Sequence, residues 1–78
     1  MAMSKELTTS LFDATQRVMA KERMDIVNKL AMLEYESEQN RFSMELRIQI
    51  TELQYKLARL DSDILDIARQ RARFFHSN

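Results

Sequence analysis

The second half of the chain carries nine positions that are spaced alternately four and three residues apart. Eight of the nine are large and apolar, and Arg71 is the exception. A mean spacing of about 3.5 residues places such side chains along one stripe of an α-helix, where they can contact another helix. The sequence therefore predicts a helix-packing seam, which consists of Leu46, Ile50, Leu53, Leu57, Leu60, Ile64, Ile67, Arg71 and Phe74.

The composition indicates an all-α protein of one domain. The 78 residues include no glycine, no proline and no cysteine. Glycine and proline most often build tight turns and end helices, so a chain that lacks both favours long helices. A chain without cysteine forms no disulfide and no thiolate metal site, which fits a reducing compartment. No apolar run approaches the roughly 20 residues of a membrane span, and the amino terminus does not resemble a signal peptide. We expect a cytoplasmic, bacterial protein.

The first half of the chain predicts a second, less regular helix over residues 10–35, after a frayed start at residues 1–9. Its apolar residues recur as adjacent pairs about seven positions apart, which produces a broader face than the seam. This opposing face is predicted to pack against the seam and consists of Leu11, Val18, Met19, Ile26, Leu30 and Leu33.

A polar segment separates the two apolar patterns. Extending either pattern into residues 36–42 puts polar groups at core positions, so we expect a turn there and a second helix over residues 43–75. Asn40 is the candidate for a left-handed residue in this turn, and Ser43 is the candidate cap of the second helix. The alternative is one continuous helix of some 65 residues, about 100 Å long.

The fold prediction is an antiparallel helical hairpin that assembles as a coiled-coil-like dimer or bundle. Ile48, Tyr55 and Leu65 form a further apolar strip outside the seam, and one partner helix cannot cover both. These three residues are therefore predicted to contact a second copy of the chain or a helical segment of another protein. The alkyl stem of Arg71 is expected to pack in the seam while its guanidinium reaches an acid on the neighbouring helix.

The sequence offers no convincing enzyme signature. It has one histidine, two residues from the carboxyl end, and no glycine-rich loop, so we expect no catalytic residues, cofactor, metal site or small-molecule substrate. A basic tail contains Arg69, Arg71 and Arg73. We interpret these arginines chiefly as cations that are favourable at the carboxyl end of a helix, and secondarily as a nucleic-acid or membrane contact.

These features together predict a small non-enzymatic module that acts through protein–protein recognition, as an adaptor or co-chaperone. In size, helicity and apolar surface the chain resembles the small helical co-chaperones and adaptors of bacterial secretion systems. It is similar in the same respects to small plasmid or phage regulators built as dimeric hairpins. The alternatives from other classes are a dimeric nucleic-acid-binding regulator that uses the basic tail, and a structural or filament subunit.

Overall fold

The computed structural model describes residues 5–76, which form two helices that pack against each other as a hairpin. Helix α1 comprises Lys5–Gln39 and helix α2 comprises Met44–His76. Residues near the start of α1 contact residues near the end of α2, so the helices are antiparallel. The longest dimension is 58 Å, far below the length of one continuous helix. The all-α hairpin is confirmed, and the continuous helix is wrong.

Helix α1 is longer at both ends than the sequence predicted. Residues 5–9, which were expected to be frayed, are helical, and residues 1–4 lie outside the described part of the chain. The Thr9 hydroxyl donates a hydrogen bond to the carbonyl of Lys5 over 2.7 Å, so this polar side chain is satisfied within the helix. At the other end the helix continues to Gln39. Glu and Gln are strong helix formers, and in this exposed segment their side chains remain hydrated.

The turn is confined to four residues and needs no left-handed conformation. The amide of Asn40 donates to the carbonyl of Glu36 over 3.0 Å, and the amide of Ser43 donates to the carbonyl of Asn40 over 3.1 Å. No residue from 5 to 76 has a positive φ, so the prediction of a left-handed Asn40 is wrong. The reason is that a type I turn reverses the chain with negative φ at both central residues. Here those residues are Arg41 and Phe42.

Ser43 caps α2, as predicted. Its hydroxyl accepts a hydrogen bond from the amide of Leu46 over 3.3 Å, and this amide is one of those that lack a partner in the first turn of a helix. Its carbonyl also accepts from the amide of Arg47 over 3.4 Å. The cap therefore fixes the start of α2 directly after the turn.

The core is a single line of side chains between the helices. In α2, all nine seam positions are buried or half-buried, whereas their neighbours on the outer side are exposed. Only three residues in the described chain are buried, namely Leu30, Leu33 and Leu60, with exposed fractions of 7%, 8% and 9%. A two-helix contact leaves most of each helix in water, which explains so small a core.

Two residues of the predicted opposing face lie elsewhere. Leu11 and Val18 are 51% and 63% exposed, while Phe12 and Met19, the next residues along the chain, are half-buried. Each helical residue turns about 100°, so only one member of an adjacent pair can face α2. The inner line of α1 repeats the alternate spacing of four and three, with polar residues at several positions. It consists of Phe12, Gln16, Met19, Arg23, Ile26, Leu30, Leu33 and Ser37.

Candidate protein-interaction surface

Arg71 joins the two helices at the end of the hairpin opposite the turn. Its guanidinium donates hydrogen bonds to the Asp13 carboxylate, over 2.7 Å, and to the side-chain carbonyl of Gln16. The guanidinium carbon also lies 5.8 Å from the centre of the Phe75 ring, within cation–π range. The prediction that Arg71 reaches an acid on the neighbouring helix is confirmed. Asp13 and Gln16 supply the polar partners that allow an arginine to occupy the seam.

Three aromatic rings pack beside this network. The Phe12 and Phe74 ring centres are 6.0 Å apart across the two helices, and Phe75 lies edge-on to Phe74 at 5.3 Å. These separations are typical of favourable aromatic pairs. Phe74 therefore acts as an internal packing residue that closes the open end of the hairpin.

The arginines of the basic tail do not form one surface. Arg71 is engaged with α1, and Arg69 lies 3.9 Å from Asp66 on the same helix. Arg73 is exposed and forms no ion pair within residues 5–76. Since positions two apart on a helix point about 200° apart, Arg71 faces away from Arg69 and Arg73, which lie on the same side of α2. This arrangement offers little concentrated positive charge for a phosphate backbone.

A second ion pair crosses the hairpin nearer its middle. The Arg23 guanidinium donates to the Asp61 carboxylate over 2.7 Å, and both side chains are about half exposed. Arg23, Asp13 and Gln16 were not predicted to be interhelical residues. The signal for Arg23 and Gln16 was present, because both continue the alternate spacing of four and three backward from Ile26 through Met19.

One broad side of the hairpin contains a groove that is lined largely by charged residues. A shallow groove of about 480 Å³ follows the line between the helices, and its apolar floor includes Ile26, Leu53 and Leu60. Six of its nine lining residues carry charge, with both signs present. We call this side the charged groove; its charged residues are Glu22, Asp25, Lys29, Lys56, Arg59 and Asp63.

The outer surface of α2 has the opposite character. A second set of positions with alternate spacing of four and three runs along it, and all of them are exposed. From Met44 to Leu65, a length of about 32 Å at 1.5 Å per residue, this set contains no charged residue. We call it the outer stripe; its members are Met44, Ile48, Thr51, Tyr55, Ala58, Ser62, Leu65, Arg69 and Ala72.

The three predicted partner-contact residues all lie on the outer stripe. Ile48, Tyr55 and Leu65 are 53%, 68% and 52% exposed in the hairpin. The structure adds Met44, which is 68% exposed, together with the small residues between the large ones. The sequence already contained the signal for these additional members. Ile48, Tyr55 and Leu65 fall on a series of positions spaced alternately four and three apart, and the remaining positions of that series are the other members of the stripe.

The outer surface of α1 is a poorer apolar surface. It also has exposed residues at alternate intervals of four and three, including Val18, Met32 and Tyr35. Between Val18 and Met32, however, the corresponding positions are polar, namely Lys21, Asp25 and Asn28. An apolar partner helix would therefore meet an interruption on α1 that the outer stripe of α2 lacks.

Within residues 5–76, the structure shows no cluster of histidine, cysteine, aspartate or glutamate suited to a metal ion. In the same part of the chain neither helix is long and apolar enough to cross a membrane. The chain matches no family model, no curated protein and no solved structure. Any inference about function therefore depends on the surfaces described above.

Proposed function

We propose that this chain is a non-enzymatic protein–protein interaction module that acts as an adaptor or co-chaperone. The observation that supports this function most directly is the outer stripe, where large apolar side chains are exposed along α2 without an intervening charge between Met44 and Leu65. Contiguous exposed apolar surface is characteristic of interaction sites, and a straight stripe on a helix fits a helical partner.

The mechanism is recognition by helix packing. Ile48, Tyr55 and Leu65 fill the partner's grooves, and the small side chains of Ala58 and Ser62 let the two backbones approach closely. The exposed charges beside the stripe restrict which helices can dock, because like charges placed opposite each other are unfavourable. The partners are a second copy of the chain and a helical segment of another protein, and recognition takes place in the cytoplasm.

The thin internal core explains why such a module benefits from a partner. Only three side chains of the described hairpin are buried, and each contributes at most about 3 kcal/mol. That contribution is small beside the conformational entropy lost by two helices of this length. Burial of the outer stripe on association adds apolar contact that the hairpin cannot obtain internally.

Affinity capture with paired variants tests the adaptor function. The bait is the full chain, expressed in cells of its source, in three forms: unchanged, Ile48→Gln/Tyr55→Gln on the outer stripe, and Glu22→Gln/Lys29→Gln in the charged groove. We expect a second polypeptide that is retained by the unchanged chain and by the groove variant, and that is lost from the stripe variant. Identical retained proteins for all three baits would contradict an adaptor that works through this stripe.

A further inference from the structure

The outer stripe of α2 has the pattern of a surface that pairs with itself. We propose that its occupant is the outer stripe of a second copy of the chain, in antiparallel orientation, with a two-fold axis between residues 56 and 57. This inference rests on the proposed function and specifies one partner and one register for that surface.

Steric complementarity supports this register. A two-fold axis at this position places the aromatic ring of the stripe opposite its small alanine, the two hydroxyl residues opposite each other, and the two branched aliphatic residues opposite each other. At the end of the stripe, Met44 faces the alkyl stem of Arg69. Thr51 suits such a contact because its hydroxyl already donates to the carbonyl of Arg47 over 2.9 Å, so it needs no partner across the interface. The facing pairs are Tyr55 with Ala58, Thr51 with Ser62, and Ile48 with Leu65.

The charges beside the stripe are complementary in the same register. Glu52 of each copy lies opposite Arg59 of the other, which produces two reciprocal pairs next to the central Tyr55 and Ala58 contacts. Neither Glu52 nor Arg59 forms an ion pair within the described hairpin. Both side chains are therefore available for the second copy.

The ends of the stripe are less uniform but are compatible with this pairing. Glu45 of one copy comes near Asp66 of the other, which alone would be repulsive. Arg69 lies 3.9 Å from Asp66 on its own helix and faces the start of the other α2, where it can approach Glu45. A cation is thus placed between the two carboxylates.

A parallel arrangement would be less favourable. With parallel helices each stripe residue faces its own counterpart, so Arg69 would meet Arg69 inside the contact. Two like charges brought together in a desolvated interface are costly. In the antiparallel register, by contrast, the two arginines lie at opposite ends of the interface and do not meet.

The hairpin exposes more surface than a compact monomer of its mass. Its accessible surface is 6559 Å², whereas a compact monomer of its mass, 9.3 kDa, would expose about 5,000 Å². The excess of about 1,600 Å² exceeds the roughly 800 Å² per partner that a stable interface buries. Covering the outer stripe therefore brings the exposed area of each chain closer to that of an ordinary folded protein.

Sedimentation equilibrium on the purified full chain tests whether a second copy of the chain binds the outer stripe. We expect a reversible species of twice the 9.3 kDa chain mass. Ile48→Gln/Tyr55→Gln should raise its dissociation constant at least about 100-fold, because each substitution removes an apolar contact twice in the symmetric dimer. Glu22→Gln/Lys29→Gln, in the charged groove, should leave the constant within about twofold. A monomer at every concentration, or a mass that grows without limit as in a filament, would overturn the proposal.

Cysteine cross-linking tests the register. Because the sequence contains no native cysteine, any disulfide must join the introduced residues. Chains carrying Thr51→Cys are mixed with chains carrying Ser62→Cys and oxidised with diamide. The antiparallel register predicts disulfides between the two kinds of chain, whereas Thr51→Cys chains alone should not cross-link. Mixing Thr51→Cys with Asp63→Cys, which lies in the charged groove, is the matched control and should also remain uncross-linked. Disulfides between two Thr51→Cys chains would indicate a parallel pair and refute the register.

The two proposals can fail separately. A dimer that is cross-linked as predicted, but captures no second polypeptide, would support the self-pairing and contradict the adaptor function. A purified chain that stays monomeric, yet captures a protein through the outer stripe, would support the adaptor function and overturn the self-pairing.

Discussion

Individual polar residues determine how the two helices align. Arg71 occupies a seam position at which a hydrophobic residue would be expected, and it remains compatible with the seam because Asp13, Gln16 and Phe75 surround its guanidinium. Arg23 and Asp61 make a comparable contact nearer the middle. Because apolar contacts between helices tolerate sliding, two directional pairs at separate heights help to fix a single register.

A double-mutant cycle should measure the contribution of the Arg71–Asp13 pair. We expect Arg71→Met and Asp13→Asn to be coupled by about 0.5–1 kcal/mol in the free energy of unfolding, since both side chains are only partly buried. Urea denaturation monitored by circular dichroism provides the values. The same cycle on Arg69 and Asp66, which are 3.9 Å apart and more exposed, should give coupling near zero. Equal coupling for both pairs would show that Arg71 has no special role in joining the helices.

At the scale of the elements, the short connection dictates the antiparallel arrangement. Helix α1 ends at Gln39 and α2 begins at Met44, so only four residues reverse the chain direction. The turn has no glycine and no positive φ, and its conformation depends on backbone hydrogen bonds and on the Ser43 cap. A turn of ordinary residues is adequate here because type I geometry suits most side chains.

Removing the cap should destabilise the hairpin measurably. Ser43→Ala loses the hydrogen bond to the Leu46 amide and should lower the free energy of unfolding by about 1 kcal/mol. Ser10→Ala is the matched control, because Ser10 is exposed within α1, where alanine is the better helix former. In thermal melts, the midpoint of Ser43→Ala should therefore fall, whereas that of Ser10→Ala should rise or stay unchanged. A melt of Ser43→Ala that coincides with the unchanged protein would argue against the cap.

At the scale of the whole molecule, α2 has two apolar surfaces with different roles. The seam packs against α1, and the outer stripe is left exposed on the other side of the same helix. One helix thus contributes both to the internal core and to the surface on which the proposed function depends. Substitutions on the two surfaces should therefore have separable effects on folding and on association.

Two nearby residues of α2 allow this separation to be measured. Leu57→Asp places a charge in the seam without a partner and should abolish folding or assembly. Tyr55→Ala removes a side chain that is 68% exposed, so helicity should persist while association weakens. Circular dichroism reports the first effect and sedimentation reports the second. Retained helicity and unchanged mass in Leu57→Asp would refute the seam, and unfolding of Tyr55→Ala would place Tyr55 in the internal core.

The sequence by itself determined the helical class and the more regular of the two packing lines. The spacing of Leu46, Ile50 and Leu53 through Phe74 depends only on helical periodicity, which is a local property of the chain. The cap at Ser43 was equally local, since a serine before a periodic segment needs only its own hydrogen bond to the backbone. By contrast, the ends of α1 were misjudged, because exposed polar residues such as Glu36 and Glu38 are compatible with both a helix and a turn.

Only the tertiary structure decided which side of α1 faces α2. Leu11 and Phe12, or Val18 and Met19, are equivalent as adjacent apolar residues, and the rotation of the packed helix selects Phe12 and Met19 for the inside. The pairing of Arg71 with Asp13, and of Asp61 with Arg23, likewise could not be predicted from local spacing, because these partners are 58 and 38 residues apart along the chain. Local spacing specifies which residues share a face of a helix. The relative rotation and height of two helices depend on contacts between distant segments, and those exist only once the hairpin has closed.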